Sequence, residues 1–203
     1  MLETFLPSAT LSTLHSEGGP HETLEFVILV IGFCVGISTL LHLNWKTQKP
    51  LFGWVTLAVV CCFYVAGEEI SWGQHLLAWS TPEFWAQIND QGETNLHNTS
   101  SWLDQKPRLI LLIGVIAGGL IIPFLRRFKP AWVPQRFELI YPPATLSVTA
   151  FFALAVQIID SIDDAAKNIV IFERASEVQE LYLFYFVLLY LIVLRWRVMQ
   201  NQR

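Results

Sequence analysis

Five long stretches of this chain, at about 24–44, 51–67, 109–125, 144–159 and 181–194, hold only one formally charged residue between them, Glu25. Such runs can be buried in a soluble fold only by an unusually large core, whereas each can cross a bilayer as a helix. A helix that crosses the hydrocarbon layer needs about 20 apolar residues, with roughly 17–25 usual. The first run meets this length and the second and third sit at its lower edge. The fourth and fifth fall short if cut at their first charge. They reach across only if neighbouring acids lie in the interface or in a shielded cavity. Those acids are Asp160, Asp163 and Asp164 after run four and Glu177 and Glu180 before run five; Glu68 and Glu69 extend run two in the same way. Drawn so, a single membrane domain has spans at about 24–44, 51–70, 108–126, 143–163 and 177–195, with a loop over 80–107.

Composition supports this fold class. Hydrophobic residues make up 53% and charged residues 15%, where about 25% charged is usual for a soluble domain. The mean hydropathy is +0.45. Ordinary soluble surfaces and intrinsic disorder are both excluded. A net charge of −4 gives no sign of a nucleic-acid partner. The expected fold is an all-α integral membrane protein with five transmembrane helices.

Basic residues orient the spans. Lys46, Lys49, Arg126, Arg127, Lys129, Arg136, Arg195, Arg197 and Arg203 fall on one side; Lys106, Arg108, Lys167 and Arg174 fall on the other. The richer side is expected to be cytoplasmic, which puts the N-terminus outside and the C-terminus inside. Of the acids, Glu138 alone lies on the inner side. No basic region precedes run one, so it reads as an uncleaved span. Cys34, Cys61 and Cys62 lie inside apolar runs and suggest packing rather than disulfides. Gly32–Gly36 and Gly114–Gly118 both have G-x-x-x-G spacing, which permits close helix approach within the bundle. The tryptophans divide into an inner group (Trp45, Trp54, Trp132, Trp196) and an outer group (Trp72, Trp79, Trp85, Trp102), as expected at two interfaces.

Chemistry concentrates on the outer side. On a helix leaving span two, Glu68, Ser71 and His75 form one stripe, with Glu69 about 100° around from Glu68. Adjacent carboxylates ending an uncharged span are expensive unless paired, protonated or ligated. The following loop holds Glu93 and His97 four apart, and span four delivers Asp160, Asp163 and Asp164. Imidazole with carboxylate suits a divalent metal such as zinc, and an open coordination position would activate water. In that scheme Glu68, His75, His97, Asp160 and Asp164 are ligand candidates, and Glu69 or Asp163 is a general base. Competing readings are metal-free proton or ion transfer by coupled carboxylates, and structural ion pairing with Lys106, Arg108, Lys167 and Arg174. The chain has no G-x-S-x-G elbow, phosphate-cradling glycine loop or dinucleotide fingerprint.

Gly67-Glu-Glu-Ile-Ser-Trp-Gly-Gln74, Thr81-Pro-Glu83 and Asn89-Asp-Gln-Gly-Glu-Thr-Asn-Leu-His-Asn98 together resemble the signature of a bacterial family of polytopic membrane proteins with no settled activity. The resemblance implies a bacterial inner-membrane location. It also implies that Glu68, Glu69, Gln74, Glu93, Asn95 and His97 belong to one motif, into which Ser71 falls. Alkaline-ceramidase-like hydrolases, which hold zinc among helix-borne His and Asp, offer a looser analogy; this chain lacks their H-x-x-x-H pair and has two fewer spans.

The expectation is therefore an inner-membrane protein with an outer-face Glu/His/Asp pocket, acting as a metal-assisted hydrolase. Its partners would be the bilayer and a lipid-like substrate. A non-enzymatic accessory or assembly subunit, docked on another membrane protein, is the alternative. Ion- or proton-coupled transport is the third.

Overall fold

A computed structural model describes residues 19–89, 92–166 and 175–201. Among these residues every regular element is helical. Five helices are long and apolar enough to cross a membrane. Helix α1 is Pro20–Leu40 and α2 is Lys49–Glu69. Helix α3 is Ser101–Ile116, continued through a π-helical turn at Ala117–Ile121 into Ile122–Phe128. Helix α4 is Ser147–Ala166, entered through a tight turn at Ala144–Leu146, and α5 is Ala175–Gln200. At 21 residues each, α1 and α2 are about 31 Å long, close to the thickness of a hydrocarbon layer.

Local sequence explains where these helices begin. Pro20 and Pro50 stand in the first turns of α1 and α2, where a missing N–H removes no helical bond. The α1–α2 connection is a tight polar turn. Asn44 Oδ1 accepts the Lys46 N–H at 2.9 Å, and Gln48 Oε1 accepts the Asn44 N–H at 3.0 Å.

Helix α5 is the hub. Its Leu183, Leu191 and Leu194 are almost fully buried, and the helix packs chiefly on α1 and α4. Gly36 lets α1 meet α2: a Cβ there would lie 2.5 Å from Val59 Cγ2, while one at Gly32 would be 3.4 Å from Cys62 Sγ. The Gly32–Gly36 spacing thus forms an α1–α2 seam, as expected.

The second glycine pair behaves differently. Gly114 has open space around it and a Cβ on Gly118 would lie 3.1 Å from Pro142 Cγ; the closest helix approach is at Gly119, outside the pair, where a Cβ would lie 2.5 Å from Ala150 and 2.8 Å from Phe186. The π turn inserts an extra residue per turn and changes the packing register there. It also frees a carbonyl, and Ser147 Oγ donates to Gly119 O at 2.6 Å.

The helices alternate in direction, and the basic end is cross-tied. Trp54 Nε1 donates to the Tyr190 hydroxyl at 2.7 Å, which donates to Ile140 O at 2.8 Å. Arg195 Nε donates to Ser38 Oγ at 2.9 Å, and Arg197 donates to Tyr141 O at 2.6 Å. The opposite end carries the acids. Large apolar side chains stand exposed around the bundle, including Leu57, Phe63, Ile113, Phe124, Phe151 and Ile192.

Candidate functional site

Helix α2 ends at Glu69 and the chain turns at once through left-handed backbone. Ser71, Trp72 and Gly73 have φ of 47°, 55° and 99°. Two of these three are not glycine, so the turn holds strain that its surroundings must offset. The compensation is visible. Trp72 folds back over Gly67, where a Cβ would lie 2.8–3.0 Å from the indole ring. Its Nε1 donates to Glu68 Oε1 at 2.7 Å. Phe63 and Tyr64 each meet the indole edge-on.

Glu68 Oε2 accepts the Leu96 N–H at 2.7 Å, which anchors the returning loop to the end of α2. Around that anchor the motif closes on itself. Ser71 Oγ and Asn95 Nδ2 donate to Glu93 Oε2 at 2.7 and 2.6 Å, and Asn98 Nδ2 does so at 3.3 Å. Asn89 Nδ2 donates to Asn95 Oδ1 at 2.7 Å, while Asn89 Oδ1 accepts the Glu93 N–H at 3.0 Å. Gln74 Oε1 accepts the Thr94 N–H at 2.8 Å, Gln74 Nε2 donates to Thr81 Oγ1 at 2.8 Å, and Thr81 Oγ1 donates to Gly92 O. Glu68, Ser71, Asn89, Glu93 and Asn95 are all buried. Buried polar groups persist when their hydrogen bonds are met, and here they build a cap over the end of the bundle.

Ser71, Gln74, Glu93 and Asn95 are therefore brought together, with Glu68 joined to them through the Leu96 N–H. Asp160 stands half-buried on α4. The side chains of His75, His97, Asp163 and Asp164 lie outside the described residues, as do Lys167 and Arg174.

Glu69 belongs to a second centre. One turn position away from Glu68, it meets Glu25 of α1 and Glu180 of α5, with one carboxylate oxygen from each within 4.8 Å of the others. Among the described residues this is the one place where three such ligand atoms converge. Glu25 is only 1% exposed. Its carboxyl is hydrogen-bonded to Glu69, yet its Oε1 is buried without a hydrogen-bond partner among the described residues. Arg108 of α3 lies against Glu180, Nε to Oε1 2.6 Å. Glu177 adds a further negative charge acting on Glu25. A hydrogen bond between two carboxyl groups needs a proton on one of them. Charges this close in an apolar setting demand a proton or a cation.

Glu25 and Glu180 were not among the ligand candidates read from the sequence. Their signal was present: Glu25 is the single charge inside the apolar runs, and an ionisable group at such a position marks a functional site by default. An apolar groove between α1 and α5, lined by Val30, Ile31, Cys34, Val35, Ser38, Ile192 and Arg195, lies toward the basic end, away from these carboxylates.

Comparison with known protein families, with curated proteins and with solved structures returns no match. The motif resemblance therefore rests on residues 67–98 alone.

Proposed function

We propose that this is a multi-pass protein of the bacterial inner membrane, with its N-terminus outside and its C-terminus cytoplasmic, and that its acidic end carries out metal-assisted hydrolysis of a lipid-like substrate. The observation that carries this reading is the meeting of Glu25, Glu69 and Glu180, from three helices, beneath an ordered polar cap. Helices of this length with apolar side chains exposed on their outer faces suit a bilayer. The segregation of basic side chains supports the orientation. In this location a bound metal would lower the pKa of a coordinated water and polarise an ester or phosphoryl oxygen. Bilayer lipids present such bonds near the headgroup boundary.

The test is lipid turnover by the full-length protein in nanodiscs of mixed phospholipids. Release of fatty acid or headgroup that chelator stops, and that Glu69→Gln abolishes, supports the reading. An unchanged lipid profile across added Mg²⁺, Mn²⁺, Ca²⁺ and Zn²⁺ removes it.

One observation favours a second reading, an accessory subunit of a membrane complex. The cap's polar groups are consumed by bonds within it, while Leu77, Phe84 and Trp102 are exposed at that same end. A rigid cap bearing apolar side chains suits docking to another membrane protein. Co-purification of one membrane protein at fixed ratio, lost in a Phe84→Ser, Trp102→Ser variant, separates this reading from the first.

A further inference from the structure

We infer that Glu25, Glu69 and Glu180 form a binding site for a hard divalent cation of the Mg²⁺, Mn²⁺ or Ca²⁺ class, clamping α1, α2 and α5 together at the acidic end of the bundle. The inference deepens the metal requirement of the hydrolase reading, and rests on that reading's choice of the acidic end as the working end.

Four features converge on it. The first is geometry. Oxygens around such a cation sit about 2.0–2.6 Å from it, so two on one coordination sphere are at most about 4–5 Å apart. The three carboxylates meet that limit, at 4.8 Å or less.

The second is charge. Glu69, Glu180 and Glu177 each place a negative charge near the buried Glu25 carboxyl, and a cation held among these carboxylates relieves that crowding.

The third is an unmet acceptor. Glu25 Oε1 is buried and lacks a hydrogen-bond partner among the described residues, while its carboxyl is already bonded to Glu69. A bare carboxylate oxygen in an apolar helix bundle is costly and needs an explanation. A cation coordinated there provides one.

The fourth is donor chemistry. All three ligands offer oxygen, with neither sulfur nor imidazole in the group. Oxygen-only sites select Mg²⁺, Mn²⁺ and Ca²⁺ over zinc. The zinc expected from the sequence depended on His75 and His97, which are not members of this trio.

The experiment uses the full-length protein in nanodiscs, stripped with chelator and titrated with Mn²⁺ alone by electron paramagnetic resonance. One Mn²⁺ per chain, displaced by Mg²⁺ or Ca²⁺, is expected. Removing one ligand by Glu25→Gln or Glu180→Gln should weaken binding by at least the 10–100-fold typical of losing a mere outer-shell partner, so by about tenfold or more. Glu138→Gln, at the opposite end of the bundle, should leave binding unchanged.

Thermal unfolding guards against variants that simply fail to fold. Metal-free Glu25→Gln should melt higher than metal-free wild type, because one crowded charge is gone, yet show no Mn²⁺-dependent rise. Two results overturn the site. One is Mn²⁺ binding that survives both glutamine variants. The other is no Mn²⁺ binding together with a protonated-carboxyl infrared band that Mn²⁺ leaves untouched, which assigns the cluster to a shared proton instead. Mn²⁺ bound without lipid turnover supports the site while removing the hydrolase reading.

Discussion

The Ser71 hydroxyl donates to the Glu93 carboxylate at 2.7 Å across 22 residues of chain, and both side chains are buried. This bond joins the strained turn after α2 to the returning loop. Asn95 and Asn98 add donors to the same oxygen, so Glu93 is the acceptor around which the cap is assembled.

Removing that acceptor takes a charged partner from three donors. A hydrogen bond to a charged group contributes about 1.5–3 kcal/mol, and a buried donor left unmet costs about 1–3 kcal/mol. Glu93→Ala should therefore lower stability by about 2–4 kcal/mol, read as a lower melting temperature in detergent. Limited proteolysis should also begin to cleave within residues 80–100. Wild-type resistance in this variant would mean the cap is held by something other than Glu93.

Gly67 is required by its neighbour rather than by its own backbone. A Cβ there meets the Trp72 ring at 2.8–3.0 Å, so Gly67→Ala should destabilise by about 1–3 kcal/mol through overpacking. The cost should shrink sharply in a Trp72→Ala background, because the two residues share one contact. Chemical denaturation of the four-member cycle measures this, and full additivity would contradict the packing of Trp72 on Gly67.

The two G-x-x-x-G motifs should separate experimentally. Gly36→Ala pushes a methyl against Val59 and should cost about 1–3 kcal/mol. Gly114→Ala meets open space and should be neutral within about 0.5 kcal/mol, or slightly stabilising from improved helix propensity. Melting temperatures and the elution volume of both variants check this. A loss of oligomer specific to Gly114→Ala would reveal a dimer face there.

Tyr190 links two distant segments by accepting from Trp54 and donating to Ile140 O. Tyr190→Phe deletes both bonds and leaves the half-buried Ile140 carbonyl without this donor, so a loss of about 1–3 kcal/mol is expected. The Trp54 emission spectrum should shift as its Nε1 loses its acceptor. An unaltered melting curve with unaltered fluorescence would rule out this tie.

The polar cap was partly legible before any fold was known. Ser71 stood out by its place on the Glu68 stripe, while Gln74, Glu93 and Asn95 were grouped by the motif that the resemblance implies. Their roles were not legible. Glu68 was read as a metal-ligand candidate, and what the structure adds is that its two oxygens accept the Trp72 indole N–H and the Leu96 amide N–H. That arrangement depends on a left-handed turn at Ser71 and Trp72, where neither residue type favours such backbone.

The five helices were determined by the sequence by itself, because hydrophobic length and the spacing of charges are local properties that any stretch of chain carries with it. So was the gathering of acids at one end, since alternating spans return every second junction to the same side. Tertiary structure alone decided that Glu25, Glu69 and Glu180 would meet while Glu68 turned to the cap. Adjacent residues on a helix differ by about 100° in direction, and which of them faces a neighbour depends on how α1, α2 and α5 rotate against each other. Close contacts such as Gly36 on Val59 set that rotation. They lie between residues far apart in the chain, so no short stretch of sequence records them.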